Sequence, residues 1–186
     1  MLRRTFVQTS AAAALPAAQT RKVALQPNAG GLTAIHTMID MPEWAKDLGK
    51  HYDARKFVQL CKAAHVDVIE LKTKNAVGDA MFPFAGRPCH RDWTTETCAL
   101  AKEAGIQFIA YYNVGLDNWY ARRKPEWQSR DAKGQPRIGF GAYHWMCIRS
   151  PWREVVLSEV RQVQEKLRPP GMWFDILGMP NAYGLG

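Results

Sequence analysis

Closely spaced cysteine pairs are missing from this chain of 186 residues, and with them the usual pattern of a structural zinc site. Cys61, Cys89, Cys98 and Cys147 are scattered, whereas such sites draw their ligands from tight pairs. No metal or other cofactor is therefore expected. Nothing after the N-terminus approaches the ~20 consecutive apolar residues of a membrane span, so a membrane partner is not expected either. A basic stripe is also lacking. The formal charge is +8, but Arg3, Arg4, Arg21 and Lys22 sit near the N-terminus and the other cations are dispersed among acids. That distribution argues against nucleic acid.

What is present is an ordinary globular composition. Hydrophobic residues make up 47% and charged residues 23%, enough for one domain with a sizeable core. The aromatic content is more pointed, with seven Trp, six Tyr and seven Phe. Several lie in polar loop segments, where they serve either as anchors or as platforms for sugar rings. The N-terminus, Met1-Leu-Arg-Arg-Thr-Phe followed by Ala11 to Ala14, has the arrangement of a twin-arginine export signal. Residues 1–20 read as that signal, 21–31 as a linker and 32–186 as the folded body. The expected location is periplasmic or extracellular.

Four strand-like runs alternate with three amphipathic helices. The strands are read at about Leu32–Ile39, Val66–Lys72, Ile106–Val114 and Met172–Ile176. The first helix opens at Asp53 as N-cap and directs Phe57, Leu60, Cys61 and Ala64 to one face. The second starts near Thr94 or Thr95 and stops at Gly105. The third begins with Ser150-Pro151 and carries Val156, Val160, Val163 and Leu167 inward. Cys61 and Cys98 fall on apolar faces and read as buried thiols. Helix-to-strand returns are short, whereas the strand-to-helix loops Thr73–Trp93 and Gly115–Arg149 are long. Long loops gathered at the C-terminal ends of parallel strands are the pattern of a (β/α)₈ barrel's active face. A whole barrel takes about 250 residues, so the fold class is α/β, a partial TIM barrel of about four βα units with a parallel sheet in order 1-2-3-4.

The most pointed residue is Asp175, which ends the apolar run Gly171-Met172-Trp173-Phe174. A carboxylate at a strand's C-terminal end is costly to bury and stands where such folds place their chemistry. His36 and Asp40 share a face of the first strand, and Glu70 and Lys72 share a face of the second. Tyr112 and Asn113 end the third. Lys74, His90, Asp117, Trp119 and Tyr120 occupy the long loops, where an acid beside stacking aromatics suits a carbohydrate.

Between about Leu32 and Asp175 the chain resembles the fucosidase-like glycoside hydrolases, nearest to a branch related to the family 29 alpha-L-fucosidases. The resemblance rests on four ordered segments: Glu70–Pro83, Tyr111–Trp119, Cys147–Glu154 and Met172–Asp175. It implies a retaining hydrolase of O-glycosidic bonds with Asp175 as the catalytic nucleophile. It also implies a carbohydrate substrate bound by His36, Glu70, Lys74, His90, Tyr112, Asn113, Asp117 and Trp119. One departure stands out. The family's Lys-His-His-Asp-Gly-Phe signature reads Lys74-Asn75-Ala76-Val77-Gly78 here, without either histidine, so the sugar is left open. The acid/base residue of such enzymes lies later in the barrel, and this chain alone is expected to be inactive and prone to self-association through open sheet edges. The alternatives are a non-catalytic fragment of a split gene, or a carbohydrate-active barrel of another class such as a sugar isomerase.

Overall fold

The computed structural model describes residues 31–37, 47 and 49–177. The expected signal, the expected linker apart from Gly31, and Asp40 lie outside the described residues, as does the tail beyond Leu177. In chain order the elements are β1 (Ala34–His36), α1 (Ala54–Ala63), β2 (Val68–Lys74), α2 (Thr94–Glu103), β3 (Gln107–Asn113), α3 (Asn118–Arg123) and a 3₁₀ turn (Pro125–Trp127). They continue with β4 (Ile138–Gly139), β5 (Tyr143–His144), α4 (Trp152–Leu167) and β6 (Gly171–Asp175).

The main sheet runs β1-β2-β3-β6, every pair parallel. This is the expected order of the four strands, and the short β4–β5 hairpin belongs to the long loop after β3. The core joins Val58 and Cys61 of α1, Cys98 and Ala101 of α2, and Val156 and Val163 of α4. These pack on Ile69, Leu71, Phe108, Ala110 and Tyr112 of the sheet. All three crossover helices thus cover one face. A doubly wound sheet would be covered on both, so the arrangement is that of part of a (β/α)₈ barrel. The opposite face, called the open face below, carries the polar residues of the strands.

Local signals account for the helices. The Asp53 carboxylate accepts from the Lys56 amide at 2.9 Å and caps α1. Within α1 the buried stripe is Ala54, Val58 and Cys61, while Leu60, expected inward, is 61% exposed. The buried stripe is rotated toward Val58, so that Phe57 packs only partly against the core and Ala64, also expected inward, is exposed. Ser150 Oγ accepts from the Trp152 amide at 3.2 Å, with Pro151 opening α4. Cys61 and Cys98 are free and buried.

The two short returns use one hydrogen-bond pattern. After α1, His65 N donates to Lys62 O and Val66 N to Cys61 O. After α2, Gly105 N donates to Lys102 O and Ile106 N to Ala101 O. Both are Schellman-type closures that need a left-handed residue at the turn. Gly105 meets that at φ +77 without steric cost, whereas His65 adopts φ 53 with a Cβ. His65→Gly is therefore expected to stabilise the fold by about 0.5–1 kcal/mol. Chemical denaturation checks this, and a loss of stability would show that the imidazole contributes more than its backbone strain costs.

Candidate active site

Register decides which side chains meet on the open face. His36 pairs with Glu70, Lys72 with Tyr111, Tyr111 with Trp173, and Asn113 with Asp175. In parallel strands, residues in register project to the same side. Two linked groups result. On the first two strands, His36 Nδ1 lies 2.6 Å from Glu70 Oε1. On the last two, the Tyr111 hydroxyl donates to Asp175 Oδ2, and Asn113 Nδ2 donates to the Tyr111 hydroxyl at 3.3 Å. Asp175 Oδ1 accepts from the Ile176 amide at 2.9 Å, and Asn113 Oδ1 accepts from Leu116 N at 3.0 Å. The Lys72 ammonium stands 5.2 Å from the centre of the Tyr111 ring, and the His36 ring lies 5.8 Å from it. Trp173, 56% exposed, flanks this row.

The structure thus brings Asp175, Asn113, His36 and Glu70 onto one face, as expected of strand-end groups. Lys74, Tyr112 and Asp117 are placed elsewhere. Register shifts between Lys72 and Lys74, so that Lys74 stands opposite Tyr112. One residue of slip sends a side chain to the other face, and Lys74 enters the helix layer with Tyr112. There the Lys74 Nζ donates to Asp117 Oδ2 at 3.0 Å and to the Leu116 carbonyl at 2.9 Å. Arg87 completes the cluster. It reaches Asp117 Oδ2 at 2.9 Å, Glu159 Oε1 of α4 at 2.6 Å and the Gly78 carbonyl at 2.8 Å. Tyr112 OH donates to Glu159 Oε2 at 2.6 Å. None of these side chains has meaningful contact with solvent.

This ion cluster is a clasp between both long loops, β3 and α4. Burial alone would raise the Asp117 carboxyl, but Lys74, Arg87 and the Tyr120 amide outweigh it and hold the group below its usual value. Burial also opposes the charge on Arg87, and Asp117 with Glu159 reverses that and raises it. For Lys74 burial prevails over Asp117, and its ammonium is pulled below the usual lysine range. Tyr112 is pushed well up, first by burial and then by the Glu159 carboxylate. Gly78 permits the close approach of the loops. At φ +94, a Cβ there would sit 2.4 Å from Asp117 Oδ1 and 2.8 Å from Trp119 Cβ.

His90 and Trp119 line a separate cleft of about 180 Å³ with Gly78, Asp79, Ala80, Pro88 and Cys89. His90 is exposed and Trp119 half-buried. One face of the Trp119 indole already carries the Arg123 guanidinium, 3.9 Å from the ring centre. Tyr120 packs between Trp127 and Trp152 as a loop anchor. Sequence reasoning passed over Tyr111, Trp173, Arg87 and Glu159. Strand alternation could have found the first two, through Asn113 and Asp175. Nothing in the sequence marks the last two. Among the described residues no cluster of His, Cys, Asp and Glu could hold a metal ion.

Similarity to solved structures follows this geometry. Alpha-L-fucosidase isoenzyme 2 from Paenibacillus thiaminolyticus superposes with a TM-score of 0.72 at 26% identity, over 83% of this chain and 26% of that one. The chain folds as part of an alpha-L-fucosidase does. The Thermotoga maritima alpha-fucosidase gives 0.53 at 18% identity, over 70% of this chain and 31% of that one. A maltogenic alpha-amylase from Thermotoga neapolitana gives 0.53 at 15% identity, over 70% and 36%. At those identities the last two show the shared barrel fold alone. The fucosidase-like chain thus spans about a quarter to about a third of the length of these enzymes. No protein-family profile and no curated protein sequence matches it.

Proposed function

We propose that the open face is the nucleophile side of a retaining glycoside hydrolase site, with Asp175 attacking the anomeric carbon of a fucose-like sugar. The observation that supports it most is the bonding of Asp175. Both carboxylate oxygens accept hydrogen bonds, from Tyr111 and from Ile176 N, which fixes the group at the C-terminal end of β6. The attack makes a bond from a carboxylate oxygen to the anomeric carbon as the bond to the leaving group breaks. His36, Glu70 and Asn113 supply donors and acceptors for hydroxyls, and Trp173 a face for the sugar ring. The cleft holding His90 and Trp119 gives a further carbohydrate contact. The twin-arginine arrangement at the N-terminus supports export.

Retention requires a second carboxyl about 5–5.5 Å from the nucleophile. Glu70, the other carboxylate that the described residues place on the open face, is two strands and four residues away, roughly 15 Å between Cα atoms. It therefore does not act as acid/base, and the described residues provide the first chemical step without its proton donor. Alkyl fucosides, whose alkoxide leaving group needs that proton, are expected to show no turnover. A 2-deoxy-2-fluoro-fucosyl fluoride needs no acid, because fluoride departs unprotonated. The chain from Gln19 onward, incubated with it, is expected to gain one deoxyfluorofucosyl mass on the peptide containing Asp175. No adduct, or an adduct elsewhere, removes the nucleophile assignment.

A further inference from the structure

We propose that Lys72 is a positioning residue for Asp175 and acts through the Tyr111 ring. The inference rests on the nucleophile reading above and adds to it a residue that faces the ring of the nucleophile's donor. Lys72 is 1% exposed, in register with Tyr111, and its ammonium faces the ring at 5.2 Å. A cation over a phenol ring draws electron density from it and makes the hydroxyl a stronger donor, the more so where water is excluded. That hydroxyl donates to Asp175 Oδ2 and itself accepts from Asn113. The direction of the chain Asn113→Tyr111→Asp175 is fixed, because the carboxylate can only accept when ionised. Lys72 thus polarises a side-chain donor that holds the attacking carboxylate.

Among the described residues, groups from three strands stand near the ring. From β1 comes His36, held by Glu70 of β2; Lys72 is also on β2; and Asp175 is on β6. His36 also meets this ring, and its Nδ1 is held by Glu70. Lys72→Met removes the lysine cation and leaves the His36–Glu70 pair in sequence, which makes its effect separable from theirs.

The test uses the 186-residue chain with ¹³C-labelled tyrosine, and the fluoro-fucosyl fluoride as probe. Lys72→Met is expected to slow labelling of Asp175 by about 3–10-fold at unchanged probe affinity, because the carboxylate is less well held while the sugar contacts persist. In the same variant the titration midpoint of Tyr111, assigned with Tyr111→Phe, is expected to rise by about 0.5–1 pH unit. Lys72→Arg keeps the cation over the ring and should restore most of both effects. If Lys72→Met does not fold, Lys72→Gln carries the same two readouts. Wild-type labelling in the neutral variant, an unmoved Tyr111 midpoint, or an Arg variant as impaired as Met each overturns the proposal. Should the wild type never label at Asp175 while the Tyr111 shift appears, the nucleophile reading falls and the Lys72–Tyr111 coupling stands.

Discussion

Replacing Arg87 with Met lowers the unfolding free energy by about 3–5 kcal/mol, the cost of leaving a buried charge without its partner. Arg87 is the only one of the clasp's two cations that touches both carboxylates, Asp117 at 2.9 Å and Glu159 at 2.6 Å. Its removal leaves Glu159 with the Tyr112 hydroxyl and Asp117 with Lys74 alone among charged partners. Arg87→Lys keeps the charge but loses the planar fork that reaches three acceptors at once, and should fall between the two. The pH dependence follows from Asp117. Its carboxyl titrates below its usual value of 3.8 in the fold, so the unfolded chain binds protons first on acidification. The stability it contributes is complete above the unfolded value and is lost as the pH falls through the lower, folded one. Denaturation at neutral pH and at about pH 3 measures both effects. An Arg87→Met variant within about 1 kcal/mol of the wild type would mean that the clasp is replaceable packing.

Asp175→Asn is expected to cut the labelling rate by at least about 10³-fold, because the amide oxygen is a poor nucleophile of nearly the same shape. Folding should survive, since the Asn carbonyl oxygen still accepts from Ile176 N and its amide NH2 then faces the Tyr111 hydroxyl, which can turn to accept. Far-ultraviolet circular dichroism and the melting temperature check that. Labelling that persists in this variant assigns the attack to another side chain, and Glu70 would be the next to replace.

Much of the fold was legible because its signals are local. Asp53 caps α1, Gly105 ends α2, Ser150-Pro151 opens α4, and the short returns force α1 and α2 to pack beside the strands that follow them. The place of Asp175 at a strand's C-terminal end was legible for a similar reason, as a lone charge ending an apolar run. Lys74 was not. Alternation from Glu70 and Lys72 carries it to the open face, and only the register shift with β3 turns it away. Tyr111 and Tyr112 illustrate the same limit, because adjacent tyrosines of one strand go to opposite faces and their identity cannot say which is which. Arg87 and Glu159 are 72 residues apart, and no spacing rule joins a loop arginine to the middle of a later helix.

That separation bears on the order in which the molecule assembles. The clasp needs Lys74, Arg87, Asp117 and Glu159 in place together, so it closes only after the β2, β3 and α4 segments have found one another. Its bonds are therefore expected to form after the rate-limiting barrier to folding, so that changes to it leave the folding rate nearly untouched while accelerating unfolding. The long loops that frame the open face would owe their persistence to a slow escape, more than to a quick return.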